Sequence, residues 1–329
     1  EVTQMEKNDV VLSVKDLHVY FYTNQRCNKV IRGISFDIKR GRTLCVVGES
    51  GCGKSVTANS ILRLLPELSR IEQGSITYYR EDGTEIRLDE LEKNGKEMRK
   101  IRGQDIAIIF QDPMTALNPV YTVGAQIEEM LKEHKTGLTK QQYKEEAIED
   151  LADMGIPAPD IRYGEYPHQF SGGMRQRSMI AMGMSCEPKI LLADEPTTAL
   201  DVTISAQIFD LMNNLKKEHN TAIMMITHNM GVVAEMADEV AVMYMGNIVE
   251  YGKAEDIFQN PAHPYTKALL KSIPVLGKGK NQQLEPIRGS TPDPFNRPKG
   301  CQFCPRCDYS TEKCENEMPP EIWLNDTHY

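Results

Sequence analysis

The chain has 329 residues, 40% of them apolar, and a net charge of −9 with an isoelectric point near 5.4. That length suggests about two domains, one of them large enough for a full hydrophobic core, and the acidic balance argues against a nucleic-acid binder, whose electrostatic footprint is basic. No apolar run approaches the roughly 20 residues needed to cross a bilayer, and no signal-peptide pattern stands at the start. The expectation is a cytosolic chain that reaches a membrane only through partners. It opens on Glu1 rather than Met, which leaves trimming of a few residues open.

Residues 10–40 alternate apolar and polar in the manner of antiparallel strands, as do residues 75–79. Residues 43–47 read as a buried strand and residues 56–65 as a helix. Between them runs Gly48-Glu49-Ser50-Gly51-Cys52-Gly53-Lys54-Ser55. Residues 115–187 are helical in pattern, with a helix over 138–154 that opens on Thr139 as its cap and stops at Gly155-Ile156-Pro157. Strand and helix then alternate: strands over 189–194, 221–226 and 239–244, helices over 203–218 and 230–237. That alternation predicts a parallel sheet covered on both faces. After Asn260, proline and glycine become dense and the core pattern stops. No internal repeat is present.

The loop at 48–55 carries the most constrained chemistry. Its glycines let backbone N–H groups curl around phosphate oxygens, Lys54 adds a point charge between the outer phosphates, and Ser55 offers a hydroxyl to Mg²⁺. An ordinary glycine-rich turn would require neither the strand before it nor the helix after it. The candidate contacts to ATP are Gly48, Ser50, Gly51, Cys52, Gly53, Lys54, Ser55 and Val56.

Asp194 and Glu195 close the apolar run Ile190-Leu191-Leu192-Ala193. An aspartate at a strand's end reaches Mg²⁺ through water, and the next carboxylate can polarise the attacking water; Pro196 then stops the strand. Ser171, Gly172 and Gly173 lie 23 residues ahead of Asp194, before Met174-Arg175-Gln176-Arg177. A helix start with a serine hydroxyl and exposed N–H groups is an anion site. The nucleotide on Lys54 already has its own loop and helix, so the ligand expected here is a nucleotide held by a second chain.

In these motifs the chain resembles the ATP-binding subunit of an ABC transporter. Ser171 to Arg177 is similar to the family signature, Gln111 in Ile109-Phe110-Gln111-Asp112-Pro113 to its Q-loop, Ala199-Leu200-Asp201 to its D-loop and His228 in Ile226-Thr227-His228-Asn229 to its switch histidine. The resemblance implies that Gln111 touches Mg²⁺ and the water, that His228 holds the γ-phosphate, and that Phe21 stacks on adenine. Read from the residues alone, the aromatics Tyr20, Phe21 and Tyr22 equally suit a half-buried strand. Phe170 stands where the commonest signature has Leu, and Met174 where it has Gln; neither position supplies the hydroxyl or the glycines. The variant resembles the D-type ATPase subunit of oligopeptide and dipeptide permeases, and 260–270 resembles the opening of that subfamily's C-terminal extension.

Four of the eight cysteines, Cys301, Cys304, Cys307 and Cys314, fall within 14 residues. In an intracellular chain such crowding points to metal rather than disulfides. The spacing C-x₂-C-x₂-C-x₆-C suits a cuboidal iron–sulfur cluster, and four thiolates equally complete a zinc site. Resemblance to the subfamily implies a [4Fe–4S] cluster. A Pro-rich tail buries little apolar surface, so metal ligation would supply folding energy. Cys27, Cys45, Cys52 and Cys186 read as small packing residues.

The expected fold is an α/β P-loop ABC ATPase cassette over residues 1–259: a RecA-like core, an antiparallel β-subdomain and a helical subdomain over 115–187. A small, irregular metal-binding extension would follow over 260–329. The resemblance implies an ATPase that powers a peptide importer from the cytoplasmic side of the membrane. Glu195 would be the base, paired with a second, F-type ATP-binding subunit, two transmembrane permease subunits and an extracytoplasmic substrate-binding protein. Relatives of this subunit also serve nickel and oligosaccharide importers, and the ATPase does not touch cargo. A soluble ABC ATPase acting on ribosomes carries two cassettes in one chain, and no second phosphate loop occurs here.

Overall fold

The computed structural model describes residues 9–23, 26–198, 200–272 and 286–329; Ala199, in the D-loop string, lies outside the described residues. The chain divides into two compact units, one of residues 1–11, 38–42 and 90–225, the other of residues 12–37, 43–89 and 226–329. We call them the signature unit and the phosphate unit. The described part of the cysteine tail falls in the phosphate unit.

Strands β1 (Val10–Thr23) and β2 (Arg26–Lys39) form as the alternation predicts, all but two residues of each in the phosphate unit. After β3 (Thr43–Val47) and α1 (Lys54–Ile61) come β4 (Ser69–Tyr79) and β5 (Glu85–Arg87). The order β2-β1-β4-β5 makes an antiparallel sheet. Leu12, Val14, Ile76 and Tyr78 close its buried face, with Leu12 opposite Tyr78 and Val14 opposite Ile76. The register shifts near Asp16, where Gly74 is required: a Cβ there would lie 2.3 Å from the Asp16 carbonyl. Helix α1 starts two residues ahead of the expected 56–65 and ends sooner. Lys54 and Ser55 form its first turn, and Arg63 enters left-handed backbone at φ 55°.

The signature unit holds α2 (Lys96–Gln104, broken at Arg102 and Gly103), β6 (Ile106–Ile109), α3 (Pro113–Ala116), α4 (Val123–His134), α5 (Lys140–Asp153), α6 (Pro159–Arg162) and α7 (Gly172–Met184). It continues with β7 (Ile190–Asp194), α8 (Val202–His219) and β8 (Ala222–Thr227), whose last two residues belong to the other unit. The expected helix at 138–154 is α5. Thr139 caps it and exchanges hydrogen bonds with Gln142, a capping box, and Gly155 ends it at φ 68°. Within the sheet, β7 lies between β8 and β6, parallel to β6. Its Ile190, Leu191, Leu192 and Ala193 are all buried, the continuous apolar run that a covered parallel strand requires.

The chain returns to the phosphate unit through α9 (Met230–Met236), β9 (Glu239–Tyr244), β10 (Asn247–Lys253), α10 (Ala254–Gln259), α11 (Pro264–Lys271) and α12 (Glu312–Asn316). Strand β9 pairs parallel with β3 and antiparallel with β10. The antiparallel β10 is an addition to the all-parallel expectation. Tyr329 exchanges backbone hydrogen bonds with Tyr251 of β10, both 2.9 Å, while the buried His328 Nε2 meets Glu250 Oε1 at 2.8 Å. Glu250 also accepts from the amides of Ala262 and His263. The far end of the tail is thus fastened to the strand that precedes it.

Candidate functional site

The phosphate loop joins β3 to α1, and its shape is dictated by what lies behind it. Gly48 sits at φ 153°, and a Cβ there would fall 2.2 Å from the Met243 carbonyl of β9. Gly53, at φ 110°, caps α1. Lys54 is only 5% exposed, and its Nζ donates to the carbonyls of Gly48 (2.8 Å) and Glu49 (3.1 Å). A buried ammonium needs such partners, and an entering phosphate oxygen can replace them at the loop's mouth. Cys52 is buried, and burial pushes its thiol up despite the nearby Lys54. Ser50, Gly51, Ser55 and Val56 complete the loop and first turn, and none of Ser50, Gly51 and Ser55 is buried.

Phe21 lies half-buried near the end of β1, opposite Ser69. Its neighbours point to the other face of the strand and are engaged there: Lys29 stands 5.2 Å from the Tyr20 ring, and Tyr22 donates to Glu72 at 2.6 Å. Among the described residues, Phe21 shows no such polar engagement. His228 is exposed just beyond β8, ahead of Asn229, whose side chain caps α9.

In the signature unit, Glu195 follows β7 at φ 46°. A non-glycine residue there costs about 1–3 kcal/mol, strain that clusters at working sites. Its Oε2 accepts from Gln111 Nε2 (3.1 Å) and from Thr198 Oγ1 (2.9 Å). The backbone strain and two donors hold one carboxylate in place, as a water-polarising base requires. Asp194 closes β7 beside it, half-buried.

Ser171 caps α7, its hydroxyl accepting from the Met174 amide at 3.3 Å. Ser171 and Gly172 are exposed. Gly173 is closed to larger residues by Ile204, whose Cγ2 would stand 2.8 Å from a Cβ. Asp201 of the D-loop string caps α8, accepting from the Ile204 amide at 2.9 Å. Arg175 of the signature donates to the Pro167 carbonyl at 2.7 Å. The sequence reading assigned no role to Thr198; a hydroxyl three residues after the carboxylate was its only signal.

The four tail cysteines are gathered by backbone bonds: the Cys301 amide donates to Cys314 (2.8 Å), Cys304 to Cys301 (3.1 Å) and Cys307 to Cys304 (3.2 Å). Burial pushes the thiols of Cys301, Cys304 and Cys307 up, and nearby thiols push each further. Hydrogen bonding to Thr311 holds Cys314 below the usual range. Yet among the described residues no group of three or more His, Cys, Asp or Glu side chains stands where it could hold a metal ion. The thiols are turned to local partners instead, Cys314 Sγ to Thr311 Oγ1 (3.3 Å) and Cys307 Sγ to the Tyr309 amide (3.4 Å). The expected metal-binding extension is therefore not supported by the side chains as they stand.

Sequence reasoning gave Glu49 no role. Arg306 donates to both its oxygens, Nη2 to Oε1 at 2.9 Å and Nη1 to Oε2, and the Glu49 amide donates to the Tyr265 hydroxyl at 2.8 Å. A carboxylate in a loop built for anions is itself a signal, since it calls for a cation nearby.

The ABC transporter family matches residues 31–198, and the oligopeptide/dipeptide transporter C-terminal region matches residues 249–314. The chain is 49% identical to the dipeptide transport ATP-binding protein DppD of Bacillus subtilis, over 98% of this chain and 93% of that protein. It is 47% identical to the oligopeptide transport ATP-binding protein OppD of Bacillus subtilis, over 97% of this chain and 87% of that one. Among solved structures it is similar to cbiO1 of Clostridium perfringens, part of the ABC transporter complex cbiONQ, at 26% identity and a TM-score of 0.63, covering 77% of this chain and 92% of that one. The chain belongs to the ABC transporter family and has the P-loop ABC ATPase cassette fold. Among the described residues no helix is long and apolar enough to cross a membrane.

Proposed function

We propose that this chain is the ATP-hydrolysing subunit of a peptide importer. The carrying observation is the near full-length similarity to dipeptide and oligopeptide transport ATP-binding proteins, joined to the hold on Glu195 by Gln111 and Thr198. ATP and Mg²⁺ bind at the phosphate loop, with Phe21 on adenine, Lys54 and Ser55 on phosphate and metal, Asp194 on Mg²⁺ through water, and His228 on the γ-phosphate. Glu195 takes a proton from the attacking water, which Gln111 helps to place. Ser171, Gly172 and Gly173, the first two of them exposed, serve a nucleotide held by a second ATP-binding subunit, with Asp201 near that contact.

Closure of the pair pulls on two permease subunits at the cytoplasmic face, and hydrolysis releases them. Supporting that contact, Phe110, Met114, Val120 and Tyr121 of the signature unit are exposed, Val120 by 71%, and a groove of about 740 Å³ opens between Ala116 and Met182. We read residues 1–259 as the cassette and 260–329 as its extension.

The test is uptake by the assembled permease in vesicles. Labelled short peptides should accumulate with ATP and cease to with Glu195→Gln; ATP-driven uptake of nickel or an oligosaccharide in their place contradicts the peptide assignment.

For the four cysteines we propose metal ligation after side-chain rotation, a [4Fe–4S] cluster ahead of zinc. The shared backbone bonds of Cys301, Cys304, Cys307 and Cys314 support it. Anaerobically purified protein should contain about four irons and four sulfides per chain, or about one zinc; neither metal bound overturns it.

A further inference from the structure

Arg306 lies between Cys304 and Cys307, in the tail, yet its guanidinium is spent on the phosphate loop. Its side chain is 4% exposed and makes a two-pronged contact with Glu49. Nε donates to the Arg288 carbonyl at 2.9 Å, and the guanidinium carbon stands 5.9 Å from both the Tyr244 and Phe303 rings. The Glu49 carboxylate also accepts from Thr291, another tail residue, at 3.2 Å. On the backbone side, the buried Tyr265 hydroxyl takes the Glu49 amide. Tyr265 belongs to a ring cluster with Tyr244 and Phe303, centroids 4.6 and 5.3 Å away.

Two consequences follow for an anion site. A free carboxylate one residue after Gly48 would repel a triphosphate. Paired with a fixed fork of five donors, the charge is neutralised and the side chain cannot swing towards the phosphates. We propose that Arg306 is a positioning residue for nucleotide binding: it neutralises and immobilises Glu49, so that the cysteine-bearing tail sets the ATP affinity of the phosphate loop. The short turn Cys304–Arg306 carries the guanidinium, so any rearrangement of the flanking thiols is felt at the loop. The contact itself requires no metal.

The test is the KM for ATP of the assembled permease. Arg306→Ala should raise KM about tenfold with kcat within twofold, because it unmasks the Glu49 charge. Adding Glu49→Gln to that variant should bring KM back to within twofold of the parent. Arg306→Lys, which keeps the charge but loses the fork, should raise KM less than Arg306→Ala does; an equal rise would overturn the neutralisation part of the proposal. Should Arg306→Ala fail to assemble, Arg306→Gln with and without Glu49→Gln gives the same comparison. A KM unmoved by loss of Arg306, or one that Glu49→Gln does not restore, overturns the proposal; a merely structural arginine would lower thermal stability without that rescue.

Discussion

The two units differ in how firmly their candidate functional groups are braced. In the phosphate unit three residues of the phosphate loop are backed: Lys54 is buried on loop carbonyls, Gly48 is pressed against β9, and Glu49 is gripped from the tail through Arg306 and Tyr265. In the signature unit Ser171, Gly172 and Gln111 lie open, with exposed apolar residues such as Val120 and Tyr121 nearby in sequence. The phosphate loop is braced within its own unit, whereas the signature stands open, as the proposed contact with a second subunit requires.

The largest effects test that contrast. Glu195→Gln removes the proposed base and should cut turnover of the assembled ATPase by about 10²–10⁴-fold while filter binding of ATP persists; turnover within tenfold of the parent refutes the assignment. Ser171→Arg should lower turnover of the assembled pair about 100-fold yet leave nucleotide binding by the isolated chain within twofold. Lys54→Ala should abolish that binding outright. If the two substitutions weaken binding by the isolated chain equally, the contrast fails.

Thr198→Val sharpens the picture at smaller scale. It deletes the hydrogen bond from Thr198 Oγ1 to Glu195, worth about 1 kcal/mol, so kcat should fall roughly fivefold with KM for ATP unchanged. A change in KM alone would place Thr198 in binding instead.

Acid stability should show the smallest effects, with opposite signs in the two units. Burial holds His263 down to about 4, where its Nδ1 accepts from the Tyr265 amide. The unfolded chain binds that proton first, so this contribution is intact above about pH 6.5 and is lost as pH falls towards 4. Burial raises Asp150 to about 7, so its ionisation costs stability progressively from about pH 4 to 7. Asp150→Asn should therefore gain a few degrees in melting temperature at pH 8, less at pH 5. An equal gain at both pH values would remove the titration as its cause.

What was legible in the sequence is what local chemistry determines. Strand β3 and the Thr139 cap are each fixed by a few adjacent residues, and the phosphate-loop, signature and Q-loop strings carry their own spacing. The partners of Glu49 were not legible. Arg306 is 257 residues away, and long-range ion pairs leave no period or motif. The cysteine spacing was visible, but side-chain direction was not: Thr311 and the Tyr309 amide compete for two of those thiols. The antiparallel β10 was missed because alternation of strand and helix says nothing about a hairpin at the edge.

The most direct measurement is a structure of the assembled permease carrying Glu195→Gln and bound to ATP. The hydroxyl of Ser171 should lie about 3 Å from the γ-phosphate of a nucleotide seated on the other ATP-binding subunit's phosphate loop. Ser171 facing solvent in that complex, or reaching the nucleotide on its own Lys54, would contradict the division of labour between the two units.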